Sequence, residues 1–190
     1  MDDSDYLRLL TQQAEQANTF LSNARKWERE RWVCQRLLQG LNVPNRMEEF
    51  SSAAQAARDQ QDKWLIIDPV YEHLETLQDA ALEQVLPHIL TLIETYPELD
   101  YGGPGPFGSL IEEHPMAAYT PALLASLERQ PSVQVIGWLD RTMRVDEDFQ
   151  RGDPNPVGAA EFAAVLRKIV DSPLASDDCK EFAQICLKDL

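Results

Sequence analysis

Three observations predict an all-α fold. No Pro or Gly interrupts the chain from Ser4 to Gln39, apolar residues recur at helical spacing along the whole sequence, and after Trp64 Pro returns at short intervals that suit short helices. The expected architecture is an N-terminal hairpin built on one long helix, residues 1–63, followed by an acidic domain of stacked short αα-hairpins, HEAT-like, over residues 64–190.

The first helix is marked by Leu7, Leu10, Ala14, Ala17, Leu21 and Ala24, which alternate steps of three and four. Its stripe then moves to Trp27, Cys34, Leu37 and Leu38, and Gly40 stands where a C′ residue would end it. LNVPN is a turn, and an Ala/Gln-rich helix over 46–61 completes the hairpin. Further helices are expected over 69–78, 80–95 with a kink or break at Pro87, 106–114, 118–129, 131–145, 156–171 and 176–188. Pro69, Pro131 and Pro156 are each expected in a first helical turn, where a missing N–H costs nothing. WLII and VQVIGWL are the two strand candidates. The second sits better on a helix, with Val135, Trp138, Leu139 and Thr142 on one side, and no strand is expected.

Charge narrows the function. The 190 residues carry 17 Lys+Arg against 32 Asp+Glu, a formal charge of −15. With 44% hydrophobic residues and four Trp the chain has the apolar content of a folded protein. Residues 1–67 are nearly neutral, with 9 basic and 10 acidic side chains, whereas 68–190 hold 8 basic and 22 acidic. Such a balance repels nucleic acid and favours a basic protein partner. The N-terminus lacks a basic segment followed by an apolar one, and the longest apolar runs are too short to span a bilayer, so a cytoplasmic location away from the membrane is expected.

No constellation suggests catalysis, a metal or a cofactor. His73, His88 and His114 lie on different helices without metal-ligand spacing, and Cys34, Cys179 and Cys186 occupy apolar faces. GGPGPFG lacks the Lys and the order of a phosphate-binding loop and reads as a turn. Arg25, Lys26, Arg29, Arg31 and Arg36 alternate with Trp27 and Trp32. Glu28 and Glu30 interrupt them, which fits a solvated or intramolecular role better than phosphate binding. Tyr119 and Trp138 fall at core spacing.

The stretch DYGGPGPFGSLIEEHPMAAYTPALLASLERQPSVQVIGWLDRTMRV, residues 100–145, resembles a family of small helical immunity proteins from bacterial polymorphic toxin systems. The features that carry it are GGPGPFGSLIE, Tyr119 with LLASLERQP, and Trp138-Leu139-Asp140-Arg141, with Asp140 where that family has Asn. Residues 1–50, in particular NARKWERERWVCQRLLQGLNVP, resemble the N-terminal helix of an uncharacterised bacterial family of suggested endonucleases. The acidic strand-rich segment that follows in that family is replaced here by SSAAQAARDQQDKW, so no nuclease site carries over.

The first resemblance implies a non-enzymatic immunity protein that covers a cognate, basic toxin domain. The alternatives are a nuclease-related protein or a helical scaffold. The expected contacts are the acidic turn residues Asp100, Glu112, Glu113, Asp146, Glu147 and Asp148, with Tyr101 as an aromatic anchor.

Overall fold

A computed structural model describes residues 43–144 and 154–190. Within these residues the protein is all-α: nine helices and no strand. They belong to a compact unit that runs from Gly40 to Leu190. The long helix expected over 4–39, the basic and aromatic run from Arg25 to Arg36, Cys34, and Asp146 to Asp148 lie outside the described residues.

The helices are α1 Val43–Gln60, α2 Trp64–Glu72, α3 Leu74–Gln78, α4 Leu82–Thr95, α5 Gly105–Glu112, α6 Met116–Arg129, α7 Val133–Met143, α8 Ala159–Val170 and α9 Asp177–Asp189. Sequential neighbours pack as pairs, α1 with α2, α4 with α5, α6 with α7 and α8 with α9. A second set of contacts joins α1 to α4, α4 to α6 and α6 to α8, and α7 to α9. This order is compatible with stacked hairpins. One core runs through the stack, with Phe50, Ile66, Ile89, Leu123, Leu139 and Phe162 fully buried, one from each of six helices.

α1 buries Val43, Met47, Phe50, Ala54 and Ala57, steps of four and three that place one stripe inward. It shares the core with α2 and α4, so the boundary expected between residues 63 and 64 separates two helices that pack against each other. The chain divides after Gln39 instead. α1 stops at Gln61, a non-glycine residue with φ of +54°, and the amides of Gln61 and Asp62 bond back to the carbonyls of Arg58 and Ala57.

The prolines correct four sequence expectations. Pro69 does not open a helix: α2 starts at Trp64 and carries Pro69 inside it. α4 runs unbroken past Pro87, and α6 past Pro121. Each of these prolines is the sixth residue of its helix, just beyond the first four N–H groups that lack an intrahelical partner. One hydrogen bond is lost in each helix, and burial of the apolar stripe outweighs it. Pro131 precedes α7, whose cap is Ser132, its hydroxyl accepting from the Val135 amide at 3.3 Å. Pro156 likewise lies before α8, in a turn where the Asn155 side chain accepts from the Val157 amide.

Phe50 is wholly buried, and Phe50→Ala should destabilise the protein by about 3–5 kcal/mol. A fragment beginning at Asp62 loses that whole stripe and should show no cooperative thermal transition by circular dichroism, whereas one beginning at Gly40 should retain it. Cooperative melting of the shorter fragment would show that α1 is dispensable to the core.

Candidate interaction site

The turn between α4 and α5 organises the surface. Asp100 is the hub: its Oδ2 takes the Lys63 ammonium at 2.6 Å and its Oδ1 accepts the Gly102 amide at 2.7 Å. The Lys63 hydrogen bond holds the Asp100 carboxyl below its ordinary value against the opposing effect of burial, and the Gly102 amide adds to the lowering. Gly102 has φ of +88°, and a Cβ there would meet the Gly105 Cα at 2.9 Å, so the turn requires glycine. Gln134 of α7 staples the loop from the other side. Its carbonyl accepts from the Tyr101 amide at 3.2 Å and its NH₂ donates to the Gly102 carbonyl at 2.8 Å.

Tyr101 is a correction to the expected contact set. It is 1% exposed, its ring tilted against Phe107 at 6.0 Å and its hydroxyl donating to the Tyr96 carbonyl at 3.3 Å. Burial, reinforced by Glu98, drives its phenol far above the ordinary tyrosine range. It plugs the core and cannot serve as an anchor for a partner. Glu112 is occupied as well, in a two-point pair with Arg141 at 2.8 and 3.0 Å, and Glu113 accepts from Gln78 at 2.8 Å. These partners lie on separate elements, so the structure does not gather Glu112, Glu113 and Asp100 into one cluster of free carboxylates.

Two grooves flank Asp100. The larger, about 650 Å³, is lined by Arg58, Gln61, Asp62, Trp64, Glu98 and Asp100 among others. The smaller, about 310 Å³, lies between the 102–104 turn and α7, with Val133, Gln134, Trp138 and Arg141 in its wall. At the mouth of the larger groove Trp64 is 55% exposed, and two turns along α2 Tyr71 is 53% exposed. Trp64 is held in place from below: the Asp62 carboxylate accepts its amide at 3.0 Å, and the Lys63 ammonium lies 5.8 Å from its ring. The seven-residue spacing of these two aromatics is visible in the sequence, whereas their exposure depends on which face of α2 meets the core.

The buried thiols are inert by environment. Burial pushes Cys179 up to about 11 and Cys186 up to about 12, the latter helped by the Asp140 carboxylate. Among the described residues no group of three or more His, Cys, Asp or Glu is placed to hold a metal ion. Among those residues, too, no helix is long and apolar enough to cross a membrane.

Two outcomes follow from this geometry. Thiol reagents at pH 8 should leave Cys179 and Cys186 unmodified in the native protein and label both after denaturation, as read by peptide mass spectrometry. Asp100, with a lowered folded pKa, contributes stability that is present above the unfolded carboxyl's value of about 3.9 and is lost as pH falls through the folded value. The melting-temperature gap between the parent and Asp100→Asn should therefore narrow from about pH 5 to about pH 2; a constant gap would show that the Lys63 pair does not act through charge.

Residues 2–63 match a family described as "Putative endonuclease, protein of unknown function (DUF1780)". This agrees with the resemblance carried by residues 1–50, and only its final part, α1 and the turn after it, falls in the described residues. The likeness of residues 100–145 to immunity proteins rests on the quoted motifs alone. Comparison with curated proteins and with solved structures gives no match.

Proposed function

We propose that the protein acts by binding, and that its partner is a cationic protein, in the leading case a toxin domain that it neutralises in the bacterial cytoplasm as an immunity protein. One observation carries this reading: the cations of the described residues are largely consumed inside the molecule, while many carboxylates are not. Arg46, Lys63, Arg129, Arg141, Arg144 and Lys168 each pair with a carboxylate at 3.2 Å or closer. Asp68, Glu72, Glu75, Glu83, Asp177 and Asp178 are exposed and have no cation partner among the described residues. The outward field is then that of carboxylates, which attracts a basic surface and repels phosphate. The motifs in residues 100–145 favour the immunity reading over other acidic binding proteins.

Purified protein should abolish the activity of its cationic target at one-to-one stoichiometry, in a titration against a toxin encoded beside it. A target that stays fully active at tenfold excess would end the reading. A second reading, a nuclease-related role, is favoured by the match over residues 2–63. Its test is cleavage of DNA or RNA with Mg²⁺ or Mn²⁺. Activity that copurifies with the protein and disappears on substituting one of its carboxylates would support that reading, whereas the binding reading expects none.

A further inference from the structure

The outer face of α2 is exposed. Ile66, Ile67 and Val70 point into the core, and Trp64, Asp68, Tyr71 and Glu72 are exposed on the other side. Positions 64, 68, 71 and 72 are separated by steps of four, three or four, so they form one surface. Trp64 and Tyr71 leave more than half of their area in water, although an aromatic side chain of this size gains about 1.5–3 kcal/mol from full burial. Asp68 and Glu72 have no cation partner among the described residues, and the whole segment from Trp64 to Asp79 contains no Lys or Arg. The cation nearest in sequence is Lys63, whose ammonium pairs with the Asp100 carboxylate and lies 5.8 Å from the centre of the Trp64 ring.

We propose that this face of α2 docks an arginine- or lysine-rich segment of a protein partner. A guanidinium stacks on the Trp64 or the Tyr71 ring and pairs with Asp68 or Glu72 at the same time, as the ring quadrupole and the carboxylate both favour a cation. Exposed Trp and Tyr are the residue types that most often dominate interface energetics, and here they flank a carboxylate one turn from each. Charge complementarity selects the occupant: nucleic acid is repelled, and a second copy of this acidic chain would bring like charges together. The proposal rests on the cationic-partner reading and adds the surface that serves it.

The test uses the full chain with its four Trp replaced by 5-fluorotryptophan, and a nine-arginine peptide as the probe, with an uncharged Gly/Ser/Gln peptide of equal length as control. The Trp64 signal, assigned from Trp64→Phe, should shift on titration at about 50 mM salt, while buried Trp138 stays unmoved. Tyr71→Ala and the pair Asp68→Asn with Glu72→Gln should each weaken binding about five- to tenfold. Asp177→Asn with Asp178→Asn removes as much charge from α9 and should change binding less than about twofold. Melting curves confirm that each exposed variant is folded. Binding that leaves Trp64 unmoved, or falls equally in the α9 variant, overturns the α2 proposal and leaves the cationic-partner reading standing. No binding of the arginine peptide overturns both, and a Trp64 shift that grows with protein concentration alone would assign the face to a second copy instead.

Discussion

A tryptophan laid across a glycine sets the geometry of this protein's surface. A Cβ at Gly108 would stand 2.5 Å from Trp138 Nε1 and 2.7 Å from Pro104 Cβ, so α5 and α7 approach as they do only because α5 has no side chain there. The indole, 2% exposed, uses its N–H on the Pro104 carbonyl at 3.0 Å. That contact fixes the end of the turn whose other end is Asp100. Gln134, one helical turn before Trp138 on the same helix, completes the staple, and Arg141 on the next turn holds Glu112 of α5. The smaller groove beside Asp100 has the same Trp138 and Gln134 in its wall.

The ion pairs matter less for stability than for the field they leave behind. Most are exposed on both sides, and pairs of that kind contribute about 0–1 kcal/mol. Glu94 is one partial exception, shielded and bound both by the Ser126 hydroxyl at 2.6 Å and by Arg129 at 2.7 Å, where it ties α4 to α6. Taken together the pairs cancel positive charge locally. The carboxylates in excess then dominate at distance, and they include those that surround the exposed aromatics of α2.

The helical fold was legible because the apolar stripes are long and regular. Val135, Trp138, Leu139 and Thr142 are buried on α7 as their spacing implies, and Tyr119 is in the core. The prolines were misread where a local rule met a tertiary one: Pro87 costs a single bond in α4, while seven apolar residues of that helix are buried. The candidate contacts were legible by chemistry and illegible by position. Tyr101 sits in an acidic, glycine-rich turn that reads as exposed, yet its ring packs on Phe107 and its amide bonds to Gln134, 33 residues further along. Asp100, Glu112 and Glu113 were recognisable as turn and helix-end acids. Their partners Lys63, Arg141 and Gln78 come from 29 to 37 residues away, and no sequence pattern announces such pairing. Trp64 and Tyr71 were in plain view at a helical interval, but their exposure depends on which face of α2 meets the core.

In the proposed recognition an uncompensated carboxylate field attracts a cationic protein to this molecule. The most direct measurement is the association rate constant with that partner as a function of ionic strength, by stopped flow. Screening contracts the range of attraction from about 30 Å at 0.01 M to about 3 Å at 1 M, so association should slow steeply as salt rises while dissociation changes little. An association rate that is flat across that range would show that the acidic surface plays no part in recognition.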